Sequence, residues 1–240
     1  VILILYSFEL ILNFVNKKEI NELNIKSKIL KENNKSFDKR TKLQAYEDLK
    51  KINNKAKLAV PPGNFINEND IEIFPISGIS NSETLYCNEN GYWFIYDSDR
   101  YGFNNPDIEW DKNSIDFMLV GDSATMGACV NRPNDIASQM RIISNKNVLN
   151  LGMGGNGPLI ELATIREYLN NKTRNVLWIY TEATDNYDLA VELKNDILSK
   201  YYHDEGFSQN LKDKVEEVDY LSNRLQNREI SNQIKDKVRE

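Results

Sequence analysis

The feature that most constrains the fold is an alternation of short apolar runs with amphipathic segments, which begins at Ser114. The first run is mostly apolar and ends at Gly121, a composition typical of a strand that a parallel sheet buries on both faces. Three strand candidates (115–120, 148–151 and 176–180) are separated by two helix candidates (135–143 and 158–169). This order predicts an α/β domain with a parallel sheet covered by helices and a site at the carboxyl ends of the strands.

The segment that follows Tyr187 is helical in pattern and highly charged. Its apolar residues form a stripe at helical spacing, which predicts a helix packed on the body rather than a coiled coil that binds a partner. The stripe consists of Phe207, Leu211, Val215, Val218, Leu221 and Leu225. No further strand follows, although a doubly wound sheet usually has about five, so we expect an incomplete sheet in a truncated domain.

The chain opens on an apolar stretch, Val1 to Val15, which Lys17 and Lys18 follow. This stretch predicts the last part of a transmembrane helix or of an uncleaved signal anchor, although a full span needs about 20 residues. An amphipathic helix docked on the body is the alternative, because Glu9 would be costly in lipid. An anchor would hold the protein at the membrane on its extracytoplasmic (periplasmic) face.

Two regions of different composition lie between this stretch and the first strand. Residues 16–60 are polar, with apolar residues at three-residue steps from Leu43 to Ile52, and we interpret them as a helical stalk. Residues 61–113 form an extension rich in turn formers. Its Asn90-Gly91 pair separates two β-prone runs and predicts a hairpin, because this pair accepts the positive φ angles of a tight turn. Residues 114–240 form the main domain.

Charge and cysteine content bear on two classes of partner. The formal net charge is −6 and no basic stripe is present, so nucleic acid is not an expected partner. The two cysteines, Cys87 and Cys129, have no neighbours at metal-ligand spacing. A disulfide between them is conceivable, but nothing in the sequence pairs them and we expect two unpaired side chains.

A serine stands directly after the first predicted strand, within the segment Gly121-Asp122-Ser123-Ala124-Thr125-Met126-Gly127. At the carboxyl end of a strand its hydroxyl would face the open crevice, and its small neighbours would let a substrate approach. A serine in this position attacks an acyl carbon when a base removes its proton. The alternative is a turn in which Ser123 caps a helix.

Three ordered segments resemble the blocks of the SGNH (GDSL-type) hydrolases, in particular of a membrane-anchored bacterial subgroup. Residues 121–127 resemble the first block, and Asn150-Leu151-Gly152-Met153-Gly154-Gly155 resembles the second. Glu182-Ala183-Thr184-Asp185 stands where many members have Glu-Gly-Asn-Asp, and Asp99-Arg100-Tyr101-Gly102-Phe103 resembles the turn before the domain of polysaccharide-associated members. The resemblance covers roughly residues 84 to 211. It implies a three-layer α/β/α, flavodoxin-like parallel sheet.

The resemblance also implies a mechanism. Ser123, in the block that contains Asp122, would attack an ester carbonyl. The backbone N–H groups of Ser123 and Gly155 would hold the oxyanion, and donors of this kind are typically worth about 10²–10³ in rate each.

Two departures from the family pattern concern the third oxyanion donor and the base. Thr184 replaces the family's asparagine, so the third donor is either its hydroxyl or the amide of Asn156 or Asn186. The family's base lies in an Asp-x-x-His block near the C-terminus, but the single histidine here, His203, has Lys200 three residues before it. We interpret His203 as a surface residue and expect little or no esterase activity from this chain.

The leading hypothesis is an SGNH-type serine esterase or O-acyltransferase-like protein, anchored in the membrane and acting on acylated cell-surface polysaccharides or lipids. No cofactor and no metal are expected, and the acidic triplet Asp107, Glu109 and Asp111 is interpreted as a solvated turn. The alternative is a non-catalytic module of the same fold that binds glycans or a partner. A nucleotide-binding domain is a third hypothesis, which depends only on the glycine-rich segment 152–157.

Overall fold

The computed structural model describes residues 27–28, 36–68, 70–182 and 184–239, and within these the chain is mixed α/β with two three-stranded sheets. The strands are β1 (Ala56–Leu58), β2 (Glu83–Leu85), β3 (Ile95–Asp97), β4 (Ile115–Gly121), β5 (Val148–Asn150) and β6 (Thr173–Ile179). Seven α-helices occur in these residues: α1 (Lys42–Ile52), α2 (Ser123–Met126), α3 (Ile136–Ser144), α4 (Pro158–Tyr168), α5 (Asp185–Glu192), α6 (Asp196–His203) and α7 (Val215–Arg239). Short 3₁₀ helices span Pro62–Phe65, Asp107–Asp111 and Leu211–Asp213.

The second sheet is parallel, with strand order β5-β4-β6, as the alternation of strands and helices predicts. Side chains of β4 alternate between its two faces. Met118 and Val120 join the main hydrophobic core together with Leu159 of α4, whereas Leu119 packs with Ala137 of α3. Helices therefore cover both faces of β4, because its apolar residues occupy both positions of the pleat.

Most strands and helices of the parallel sheet begin and end within a few residues of the bounds predicted from the sequence. Asp135 caps α3, since its Oδ1 accepts a hydrogen bond from the N–H of Ser138 at 2.9 Å. β6 begins at Thr173, three residues earlier than the predicted start at residue 176. The sequence does not reveal this earlier start, because Arg174 and Asn175 are polar and exposed at the border of the sheet.

The C-terminal apolar stripe packs on the body, as predicted. Val218, Leu221 and Leu225 of α7 belong to the main core. The same helix reaches the first sheet, because the side-chain oxygen of Gln226 accepts a hydrogen bond from the N–H of Leu58 at 2.6 Å. Helix α7 thus connects the two sheets.

The predicted hairpin is present in the first sheet. β2 and β3 pair antiparallel, and the pairing continues through the N–H of Tyr86, which donates to Phe94 O at 2.9 Å. Gly91 has a φ of 88°, a left-handed conformation that favours glycine at this turn.

The remaining strand, β1, corrects the interpretation of residues 16–60 as a stalk. β1 pairs in parallel with β2. Its Ala56 and Leu58 are buried together with Leu43 and Tyr46 of α1. From residue 36 onward this segment therefore packs on the body, because the hairpin covers the apolar face of α1.

The turn before the parallel sheet is organised around a buried carboxylate. Asp99 is 0% exposed and accepts hydrogen bonds from the N–H groups of Tyr101 and Phe103, from the amide of Asn105 and from the indole of Trp110, at 2.7–3.0 Å. Burial raises the pKa of Asp99 to about 6, against the lowering effect of these donors. The turn is therefore part of the core.

The acidic triplet forms ion pairs. Asp107 and Asp111 accept hydrogen bonds from the guanidinium of Arg100 at 2.7 and 2.8 Å, and these bonds hold the pKa values of both carboxyls below their usual range. Glu109 is nearly buried and lies 3.9 Å from Arg141. The prediction of a fully solvated turn is therefore too simple.

The predicted membrane anchor is not supported. No helix in the ranges that the structure describes is long and apolar enough to cross a membrane. This finding overturns the predicted transmembrane helix and the membrane-anchored extracytoplasmic location that depended on it. Val1 to Val15, on which that prediction was based, lie outside the described residues.

Candidate active site

The turn that carries Ser123 joins β4 directly to helix α2. Asp122, not Ser123, caps this helix, because its Oδ1 accepts a hydrogen bond from the N–H of Ala124 at 2.9 Å. Glycine is required at position 121, since a methyl group there would overlap the side chain of Thr125. The side chain of Ser123 is partly exposed and hydrogen-bonds to none of the described residues. Its hydroxyl is therefore free at the carboxyl end of the central strand.

Asn150, at the end of β5, ties the second block to this turn. It is 0% exposed; its Nδ2 donates to Thr125 O and its Oδ1 accepts from the N–H of Gly152, both at 2.9 Å. Its backbone N–H and C=O both bond to the side-chain amide of Asn105, at 2.8 and 2.6 Å. Because Asn105 also donates to Asp99, the buried turn holds the first two blocks in place.

Two backbone N–H groups next to the serine are unused. Gly155 has a φ of 77°, in the left-handed region that disfavours a side chain, and it is exposed. Within the described part of the chain, neither its N–H nor that of Ser123 donates to another group. Free, fixed N–H groups are what an oxyanion site requires.

A cavity of about 410 Å³ brings these groups together. The hairpin, the turn that carries Ser123 and the loop after β5 form its walls. The lining residues are Tyr86, Cys87, Glu89, Ser123, Ala124, Ala128, Cys129 and Gly155. Two of the residues predicted from sequence, Ser123 and Gly155, thus face one space, and small alanine side chains leave room beside them.

A disulfide between Cys87 and Cys129 borders this cavity, which corrects the expectation that both cysteines are unpaired. The bond links the hairpin to the segment after α2 across 42 residues of sequence. The side chains of Asn90 and Tyr92 also donate to the backbone oxygen of Cys129, at 2.9 and 3.1 Å. The hairpin is therefore attached to the segment after α2 both covalently and by hydrogen bonds.

The third block lies beside the cavity and does not line it. Thr184 is exposed at the start of α5, and its hydroxyl donates to Oδ1 of Asp185 at 3.4 Å. The block is connected to the first block through Thr181, whose hydroxyl donates to Oδ2 of Asp122 at 3.1 Å. Thr184 is therefore oriented by its own helix, and Asp122 is held between the two blocks.

The two alternative amides also lie outside the cavity lining. Asn156 is 1% exposed, and neither polar atom of its side chain has a partner among the described residues. Asn186 is exposed, and its Oδ1 accepts a hydrogen bond from Tyr180 at 3.0 Å.

His203 is on the surface, as predicted, and it is remote from the serine. It ends α6 next to Asp204, whose backbone oxygen accepts a hydrogen bond from Arg166 in the last turn of α4. The Gly155 loop leads into the opposite end of α4, eight residues before Arg166, so about 12 Å of helix separates the two ends. His203 is therefore not placed to take a proton from Ser123.

Two buried carboxylates support the loop and strand beside the site. Glu192 is 1% exposed and accepts hydrogen bonds from the N–H groups of Gly157 and Leu159 at 2.7 and 2.8 Å, so it caps α4 where Gly157 has no side chain. Glu161 is 0% exposed and accepts from the indole of Trp178. Burial raises the pKa of both carboxyls to about 7.

Sequence reasoning missed three features of this site: Tyr86, the Cys87–Cys129 bond and Glu192. Tyr86 and Glu192 lie in elements distant in sequence from Ser123; Cys129 lies near Ser123, but its partner Cys87 does not. Tyr86 was visible only as part of a β-prone run, and neither the disulfide nor the cap by Glu192 has a local sequence signal, because both depend on tertiary contacts.

Comparisons of this chain with models of known families, with curated proteins and with solved structures found no match. Any assignment to the hydrolases therefore depends on the sequence blocks and on the geometry of the cavity.

Proposed function

We propose that this chain provides the nucleophile and oxyanion site of an SGNH-type serine esterase or O-acyltransferase-like protein. The observation that carries the proposal is the cavity, because the free hydroxyl of Ser123 and the unused N–H groups of Ser123 and Gly155 belong to residues that line the same space. The order β5-β4-β6 also supports it, because it matches the first three positions of a flavodoxin-like sheet.

In the proposed reaction, the Oγ of Ser123 attacks the carbonyl carbon of an ester while its proton passes to a base. The N–H groups of Ser123 and Gly155 stabilise the negative charge that develops on the carbonyl oxygen. Collapse of the tetrahedral intermediate expels the alcohol, which takes up a proton, and leaves an acyl ester on Ser123. Water then hydrolyses this ester, or a sugar hydroxyl accepts the acyl group.

No residue that the structure describes hydrogen-bonds to the hydroxyl of Ser123, so none is in place to accept its proton. Asp122 is adjacent, but its two carboxylate oxygens accept hydrogen bonds from Ala124 and Thr181. His203 lies at the far end of α4. We therefore expect little turnover from this chain alone, and we expect imidazole in solution to accelerate acylation of Ser123 by accepting its proton.

The cavity lining favours a small acyl group on a neutral or cationic carrier. Ala124 and Ala128 leave space beside the nucleophile, Glu89 contributes a carboxylate, and no lysine or arginine is among the lining residues. An anionic acyl group would be repelled by Glu89 and by nearby Asp122. An acylated, uncharged polysaccharide or glycolipid is a substrate of the required chemistry.

Labelling with an alkyl fluorophosphonate tests this function. We expect intact-protein mass spectrometry to find one adduct on Ser123, formed slowly in buffer and about tenfold faster with added imidazole. Ser123→Ala should abolish the adduct, whereas Ser144→Ala, which alters an exposed serine outside the cavity lining, should not.

A non-catalytic module that binds glycans is the second candidate, because Thr184 lies outside the cavity lining. A folded chain that forms no adduct at Ser123, even with imidazole, would favour it. In that case, binding of neutral glycans measured by calorimetry should weaken when Glu89 is replaced by Lys.

A further inference from the structure

The hydroxyl of Tyr86 lies against the loop that carries the oxyanion donor. A methyl group added to Gly154 would overlap the phenol oxygen of Tyr86, so the two residues are in close contact. Tyr86 lines the cavity together with Ser123 and Gly155. Its hydroxyl makes no hydrogen bond to any group in the described ranges. A half-buried phenol without a partner is therefore available to a ligand in the cavity.

The position of Tyr86 is fixed relative to the nucleophile. Its N–H donates to Phe94 O in the hairpin, and the next residue, Cys87, is bonded to Cys129 on the nucleophile side. A donor held by two independent restraints needs little reorganisation when a substrate binds, and preorganised donors contribute most to transition-state stabilisation.

Tyr86 also remains a donor across the neutral pH range. Burial, and then the negative charges of Glu89 and Asp122, raise the pKa of its phenol above the usual value of 10. The protonated phenol offers one O–H donor.

We propose that the hydroxyl of Tyr86, rather than that of Thr184, donates the third hydrogen bond to the carbonyl oxygen of the substrate. This inference rests on the function proposed above and makes the hairpin part of the active site. The bond would strengthen as negative charge develops on the oxygen, so its loss would lower the acylation rate more than the affinity for the substrate.

The test is the rate of fluorophosphonate labelling of the full chain in the presence of imidazole. Oγ of Ser123 forms a bond to phosphorus, fluoride leaves, the proton passes to imidazole, and the phosphoryl oxygen takes the place of the carbonyl oxygen. We expect Tyr86→Phe to lower the first-order rate of labelling about 10- to 100-fold, with little change in the inhibitor concentration that gives half-maximal rate. Tyr92→Phe is the matched control, because this hairpin tyrosine bonds to the backbone of Cys129 and does not line the cavity.

Several outcomes would overturn the inference. Wild-type labelling rates in Tyr86→Phe would do so, as would a slowing caused by Thr184→Val instead. If Tyr86→Phe lowers both the labelling rate and the melting temperature, the role of Tyr86 is structural. If Ser123 of the wild type forms no adduct even with imidazole, the proposed function fails and this inference with it, whereas labelling that ignores Tyr86 refutes the inference alone.

Discussion

The two sides of the parallel sheet are built differently. On the β5 side, Asn150, Asn105 and Asp99 are 0–1% exposed and form a continuous buried network that reaches the turn carrying Ser123. On the other side, β6 pairs with β4 alone among the described strands, and Leu177 and Trp178 are 37% and 45% exposed. Ser123 and Gly155 depend on the enclosed side, and Thr184 belongs to the open side. The contrast teaches that polar contacts from upstream residues hold the first two blocks, whereas Glu182 and Thr184 of the third block are exposed.

The charges on the two sides differ as well. Asp99 on the enclosed side is surrounded by four donors. On the open side, Glu161 accepts one hydrogen bond from Trp178, and its Oε1 has no partner in the described part of the chain. A buried carboxylate with an unpaired oxygen is costly when charged, so Glu161 should contribute to the pH dependence of stability.

The largest effect should come from cutting the attachment of the hairpin to the enclosed side. Replacing both Cys87 and Cys129 by Ser should lower the free energy of unfolding by about 3–4 kcal/mol, because the bond closes a loop of 42 residues. Urea denaturation measures this loss. The fluorophosphonate should also label Ser123 of this variant more slowly than that of wild type, since Tyr86 would lose one restraint. A loss of unfolding free energy below about 1 kcal/mol would show that the hydrogen bonds to Cys129 O are enough to hold the hairpin in place.

Two asparagines measure the difference between the sides directly. Asn150→Ala should cost about 3 kcal/mol, because it leaves buried backbone groups of Thr125 and Gly152 without partners. Asn175→Ala on β6 is the matched control: its amide also donates to a backbone oxygen, that of Asp116 at 3.0 Å, but it is exposed and should cost less than about 0.5 kcal/mol. Similar costs for the two variants, measured by urea denaturation, would contradict the comparison.

A further effect concerns the pH dependence of stability. The folded-state pKa of Glu161, about 7, lies above the usual 4.5, so the folded protein keeps a proton that the unfolded chain has lost. The contribution of this group is fully present below pH 4.5 and is lost as the pH rises to 7. In wild type, this proton should make the free energy of unfolding fall by up to about 1.4 kcal/mol per pH unit between pH 4.5 and 7, and Glu161→Gln should remove this contribution.

Thermal or urea unfolding at several pH values between 4.5 and 8 checks this expectation. Glu182→Gln is the matched control, because that side chain is exposed at the same end of the sheet. An unchanged profile in Glu161→Gln would assign the pH dependence to other groups, of which Glu192 is the first to examine.

Much of the fold was predictable because its elements follow local patterns. β4 and α4 have apolar residues at the spacing of a strand and a helix, and the Asn90-Gly91 pair marks the hairpin turn. β1 was missed, because three residues with Lys57 in the middle carry no strand signal and its pairing partner lies far along the chain. Local periodicity therefore identifies elements but not the remote contacts that incorporate them.

The residues of the proposed site were predictable only where they are consecutive in sequence. Ser123 and Gly155 were found because each stands in a short block after a strand. Thr184 also stands in such a block, but it precedes the first residue of α5 and does not line the cavity. Tyr86 was not found, because the role proposed for it depends on the tertiary contact between the hairpin and Gly154.

The bond between Leu58 and Gln226 has a consequence for the order of events during synthesis. The N–H of Leu58 meets its acceptor 168 residues further along the chain. At the usual translation rate of about 5–20 residues per second, the ribosome needs roughly 10 to 30 s after making Leu58 before it reaches Gln226. Throughout that interval β1 lacks this partner, so a newly made chain must keep the edge of its first sheet from pairing with other nascent chains.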